Sequence, residues 1–184
     1  MANPVPEEHV EAARSGDARA VSRLVETVWP DAYRLAFGIL GERSAAEDAA
    51  QEACIILCRT LSSLRGTGAF RVWFSRIVIR EASRIKRRHA PAEPLPETAA
   101  ASPDQATSID LWRALATLPQ KLREAVVLRY FEDFSSREIA EILHVPDGTV
   151  RFRLMLARRR LRPLLGIDHD ETSQPNPEVR THAV

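Results

Sequence analysis

The chain has 184 residues, of which 45% are hydrophobic and 28% charged, with a formal net charge of +1. That length allows one medium domain or two small ones, and the composition excludes a wholly disordered chain. No run approaches the ~18 consecutive apolar residues of a membrane helix, and Met1 to Glu11 carries Glu7, Glu8 and Glu11 with no apolar stretch, so neither membrane insertion nor a signal peptide is expected.

Helical periodicity runs through both halves, and no segment alternates like a strand between turn signals. The expected fold class is therefore all-α, with two small helical domains and a linker. Residues 1–88 read as the first domain. Pro6 to Ser15 predicts a short helix stopped near Gly16. Asp17 can cap a second helix running to about Trp29, and Pro30 suits the first position of a third that ends near Gly41. Ser44, with Glu47 three residues on, reads as a capping box opening a fourth. Its apolar face is Ala49, Ala53, Ile56, Leu57, Thr60, Leu61 and Leu64, and its polar face carries Glu47, Asp48, Gln51, Glu52 and Arg59. Cys54 and Cys58 sit four apart on that helix; zinc would need two more ligands, so both are expected to be buried as small apolar residues. Arg65-Gly66-Thr67-Gly68 breaks the pattern. The next helix, about Ala69 to Arg88, buries Phe70, Phe74, Ile77, Val78 and Ile85.

Residues 89–108 hold Pro91, Pro94, Pro96 and Pro103 with six alanines, the composition of a semi-extended linker. Residues 109–166 read as the second domain, with helices over Ile109 to Ala116, Pro119 to Phe131, Ser135 to Leu143 and Asp147 to Leu165. The last two flank a three-residue turn, His144-Val145-Pro146. Ile139, Leu143, Val145, Val150 and Leu154 are placed to hold them at a steep angle. This is a helix-turn-helix pattern, whose second helix usually enters the DNA major groove. Residues 167–184 are polar, contain Pro175 and Pro177, and are expected to be disordered.

The near-neutral net charge hides a sharp division. Arg71 to Arg88 holds seven bases against the single acid Glu81, and Arg151 to Arg162 holds six arginines and no acid. Two cationic segments in an otherwise acidic chain suggest two separate contacts with nucleic acid. In the first, Trp73, Arg76, Arg80, Arg84 and Arg87 fall at spacings of three and four. Aromatic rings stack on unpaired bases while cations follow the backbone, so this stripe suits a single strand; the alternative is a surface helix whose Trp73 is core. In the second, Val150, Leu154, Ala157 and Leu161 face inward, leaving Arg151, Phe152, Met155 and Leu156 outward near the helix start. Early residues of a recognition helix reach base edges and flanking arginines grip phosphates. The acidic face around Asp48 fits a basic protein partner, or simply the stabilisation of a helix's first turn. Gly66-Thr67-Gly68 is too short for a nucleotide fingerprint, and no Walker or nucleophile-elbow motif occurs, so neither enzyme activity nor a cofactor is expected.

The order of these parts carries a resemblance. The runs AEDAAQEA (Ala46 to Ala53), FRVWFSRI (Phe70 to Ile77), LPQKLREAVVLRYFEDFSSREIAEIL (Leu118 to Leu143) and VPDGTVRFRLMLARRRLR (Val145 to Arg162) resemble a bacterial sigma factor of the extracytoplasmic-function group, over about Glu7 to Leu165. The resemblance implies that Asp48, Gln51 and Glu52 dock on core RNA polymerase. It implies that Arg65, Trp73, Arg76, Arg80, Arg84 and Arg87 act where the −10 element of promoter DNA is melted and a base captured. It implies that Arg137, Thr149, Arg151, Phe152, Met155, Arg158 and Arg159 serve the −35 element. The resemblance also implies pairing with an anti-sigma protein, while a cytoplasmic location is expected from the lack of a signal peptide, a membrane run and a disulfide framework. Arg80 stands where the family commonly has Asn, Phe152 where it has a small Ser, and Leu156 where it has Arg. The remaining readings are a stand-alone helix-turn-helix regulator and an RNA-binding adaptor; two separate basic sites joined by a linker favour the sigma factor.

Overall fold

The computed structural model describes residues 5–88 and 111–165; the expected linker over 89–108 and the expected tail over 167–184 lie outside them. The described residues form helices and loops only. The first module comprises α1 (Glu7–Arg14), α2 (Ala18–Leu40), α3 (Arg43–Thr60) and α4 (Phe70–Arg88). The second comprises α5 (residues 111–117), α6 (Gln120–Tyr130), α7 (Ser136–Leu143) and α8 (Asp147–Leu161).

Asp17 caps α2 as expected, its carboxylate accepting from the backbone N–H groups of Arg19 and Ala20. The helix does not stop at Trp29, however. It runs unbroken for 23 residues with Pro30 inside it. An internal proline forfeits one backbone hydrogen bond and crowds the preceding turn, at about 3 kcal/mol. The stripe Leu24, Val28, Ala32, Leu35, Ala36 and Ile39 stays in phase across Pro30 and is wholly buried, which outweighs that cost. Gly41 ends the helix at φ 73°, a conformation that glycine adopts without strain.

α3 also departs from expectation at its start. It begins at Arg43, and Ser44 does not cap it; its hydroxyl donates instead to the Glu42 carboxylate at 2.7 Å. With the helix start displaced by two residues, the expected capping box with Glu47 does not form. The buried face is mostly alanine, namely Ala45, Ala46, Ala49, Ala50 and Ala53, completed by Cys54 and Leu57, and it brings α2 and α4 close. Ile56 and Thr60 are only half-buried. The two cysteines part company: Cys54 is buried and Cys58 is exposed, since residues four apart differ by about 40° around a helix. Burial, with Cys58 nearby, pushes the Cys54 thiol up to about 11, which leaves it unreactive at neutral pH.

In the second module, α7 opens with a true capping box, in which Ser135 and Glu138 exchange side-chain and backbone hydrogen bonds. His144 takes the left-handed conformation at φ 51°, ending α7 and turning the chain into α8. Val150, Leu154, Ala157 and Leu161 face inward as the periodicity predicts. α6 is unusual in that every residue from Leu122 to Leu128 is buried. A helix covered on all sides must be packed between other layers. Here α6 lies between α8 and the α2 helix of the first module, while α7 lies against α4.

Candidate nucleic-acid interface

The helix-turn-helix presents α8 along its outer face. Arg151 is 70% exposed at its side chain and pairs with Asp147 at 2.8 Å one turn earlier, which fixes the guanidinium near the helix start. Phe152 and Met155 follow, 55% and 53% exposed. Large apolar side chains this open at the start of a helix are available for a partner. Leu156, expected outward, is half-buried against the core. Arg158, Arg159 and Arg160 are exposed on the later turns. Arg158 donates to the Tyr130 hydroxyl at 2.7 Å and lies 5.8 Å from that ring's centroid. Tyr130, half exposed at the end of α6, therefore positions this arginine. Its part was invisible in the sequence, because the two are 28 residues apart. Arg137 on α7 is exposed, and Thr149 is half-buried.

The α4 stripe divides into exposed residues and residues held by neighbours. Arg80 and Arg87 are exposed. Trp73 is half-buried against the core and tilted against Phe70, with ring centroids 6.0 Å apart. Arg84 bonds to Glu81 on its own helix and reaches Glu52 of α3 at 3.8 Å. Arg76 turns to the second module and donates to the Glu141 carbonyl at 2.9 Å. Before α4, Arg65 is exposed in the loop, and Gly66 adopts φ 89°. Thr67 donates to the Glu7 carboxylate at 2.8 Å, so α1 braces this loop from below.

On α3 the side chains of Glu47, Asp48, Gln51 and Glu52 are all exposed. They form one acidic ridge, and the Arg84–Glu52 pair ties its end to the cationic helix. The molecule thus shows an acidic ridge and a cationic aromatic helix on one module, with an arginine-rich recognition helix on the other. Among the described residues, no helix is long and apolar enough to cross a membrane.

Comparison with known proteins agrees with this layout. Residues 24–91 match the family model for sigma-70 region 2, and residues 108–161 match that for sigma-70 region 4. The chain is 32% identical to the RNA polymerase sigma-H factor of Pseudomonas aeruginosa, over 85% of this chain and 93% of that protein. It is 30% identical to the extracytoplasmic-function sigma factor SigW of Bacillus subtilis, over 85% and 94% respectively. Among solved structures, CnrH in complex with the cytosolic domain of CnrY superposes with a TM-score of 0.70 at 21% identity, covering 89% of this chain and 98% of that one. The sigma factor RpoE of Bartonella quintana, solved with the anti-sigma factor NepR, gives 0.67 at 23% identity, covering 80% and 98%. These two show a shared fold. With a region 2 and a region 4 in order, and about a third of its residues shared with such proteins over most of their length, the chain belongs to the sigma-70 family as an extracytoplasmic-function sigma factor, a non-enzymatic protein that binds core RNA polymerase and directs it to promoters.

Proposed function

We propose that the three surfaces divide the work of initiation among named residues. Residues 1–88 act as the polymerase and −10 module, 109–166 as the −35 module, and 89–108 as the linker between them, with 167–184 as a tail. Asp48, Gln51 and Glu52 dock on the polymerase. Arg65, Trp73, Arg80 and Arg87 hold the melted −10 strand, with Arg76 and Arg84 joining once they leave their present partners. Arg151, Phe152 and Met155 read the −35 element, Arg137, Thr149, Arg158 and Arg159 grip its backbone, and the protein acts in the cytoplasm, beside the polymerase.

The observation that carries the docking assignment is the uninterrupted exposure of Asp48, Gln51 and Glu52 on one ridge of α3. Asp48→Arg combined with Glu52→Arg tests it. Reversing two charges against a basic patch should cost on the order of several kcal/mol of core-polymerase binding. A folded double variant that binds core polymerase normally rejects the docking site.

A second use of the α8 face is favoured by the exposure of Phe152 and Met155. One of the fold's solved neighbours is held by an anti-sigma factor, and an inhibitor protein of that kind would gain by covering these side chains here. If Phe152→Ser leaves the selected −35 sequence untouched but abolishes inhibitor capture, the apolar face belongs to protein recognition.

A further inference from the structure

Helix α1 precedes residues 24–91, the part of the chain that matches region 2, and carries none of the docking or strand-holding residues. It is nonetheless firmly seated. Val10 and Ala13 are buried, 1% and 3% exposed, and the helix packs against α2. Its first turn holds two acids, Glu7 and Glu8. Acids there favour the helix macrodipole wherever their side chains point. Glu7 does more, because its carboxylate meets the loop between Leu64 and Phe70.

That loop is fixed at its ends and open in its middle. Leu64 and Phe70 are buried, whereas Arg65, Gly66, Gly68 and Ala69 are exposed. Gly66 stands at φ 89°, where other residues are strained, and Gly68 adds a second unrestricted backbone position. Thr67, midway, is the one residue among them that is half-buried. Its hydroxyl donates to Glu7 Oε2 at 2.8 Å, and Oε1 of the same carboxylate lies 3.7 Å from where a Cβ at Gly68 would stand. One carboxylate from a seated helix thus flanks two adjacent residues at the centre of the loop. Without it, a stretch with glycine on both sides of Thr67 would sample many conformations, and strand binding would be weakened by the cost of ordering them.

We infer that Glu7 and Thr67 are positioning residues for strand capture: their hydrogen bond holds the loop in the form that, with Arg65 beside it, receives the melted −10 strand. The inference rests on the assignment of Arg65 and α4 to that strand. The carboxylate does not itself attract the strand, since its charge opposes the phosphates. It contributes order in the loop, through an acceptor oxygen. An uncharged acceptor at position 7 should therefore serve as well. Removing either partner of the hydrogen bond should weaken capture about fivefold, the scale of one hydrogen bond.

The test uses the full-length chain assembled with core polymerase, titrated against a template with a premelted −10 bubble, with circular dichroism of each chain to verify folding. Thr67→Val keeps the shape and removes the donor. Glu7→Ala removes the acceptor, and Glu7→Gln removes the charge while keeping an acceptor oxygen. Thr67→Val should bind the bubble about fivefold less tightly than the wild type, and Glu7→Ala about fivefold less tightly than Glu7→Gln, which should match or exceed the wild type. Adding Thr67→Val to Glu7→Ala should weaken binding no further, because both remove one bond. A folded Thr67→Val chain with full bubble binding overturns the inference. Arg65→Ala and Arg80→Ala then decide the rest: weakened bubble binding keeps the −10 assignment, and unchanged binding by both removes it as well. A Glu7→Gln protein as weak as Glu7→Ala, or additive losses in the double variant, also overturns the inference. Should Glu7→Ala disturb α1, the Thr67→Val result decides alone.

Discussion

Glu132 shows how little a buried charge says about strength. It is 3% exposed, and burial raises its pKa above the ordinary 4.5 despite the opposing pull of Arg34. The folded protein therefore favours the protonated acid. The sign follows: the contribution of Glu132 is fully present below 4.5 and is lost as pH rises through the raised value. Relative to Glu132→Gln, the wild type should lose stability over that window, and at neutral pH the Gln variant should be as stable or more so. Urea unfolding of both proteins across pH checks this; a Gln variant clearly weaker at neutral pH contradicts it. Specificity also belongs to single residues. Arg151 can bond guanine in a bidentate manner and Phe152 can cover a thymine methyl. Arg151→Ala or Phe152→Ser should shift the preferred −35 sequence, at roughly 1–3 kcal/mol for the affected base. Arg159→Ala should weaken all sequences about equally and lower the salt slope by ~1. Selections from a randomised −35 library at two salt concentrations separate the classes.

Helices were legible wherever local pattern and tertiary packing agreed. The inward set of α8, the Asp17 cap and the Ser135 start of α7 needed nothing beyond their own spacing. Pro30 and Ser44 misled because each is a good start signal that packing overruled. At Pro30 the buried stripe continues on both sides; at Ser44 the helix had already begun at Arg43. The stripe on α4 was legible as a row of residues but not as a surface, since Arg76 is claimed by Glu141, 65 residues away. At this scale, Ser135→Ala should cost about 1 kcal/mol by removing the reciprocal cap of α7, read by thermal unfolding. Trp73→Ala or Arg80→Ala should impair open-complex formation more than initial duplex binding, with losses of ~1–3 kcal/mol per unstacked base. A template with a premelted −10 bubble discriminates: equal failure there and in duplex binding that depends only on the −35 element contradicts the role of α4.

For the whole molecule, the sequence displayed an acidic run followed by two cationic segments, and the division of labour came from the family resemblance that these runs carry. The sequence did not display how the two modules meet. Gly38, Val127, Phe37, Trp112 and Arg123 look like ordinary core or surface positions of separate helices, and only their meeting across the two modules gives them meaning. Charge runs are local in sequence, whereas an interface is complementarity between distant segments. The central claim is that one small chain supplies both polymerase docking and promoter choice. Run-off transcription with core polymerase on a promoter library tests it most directly. Adding the protein should give discrete start sites at a defined set of promoters, and Asp48→Arg with Glu52→Arg should abolish them while duplex binding through α8 persists. A folded, DNA-binding protein that leaves core polymerase initiating no more selectively than core alone would contradict it.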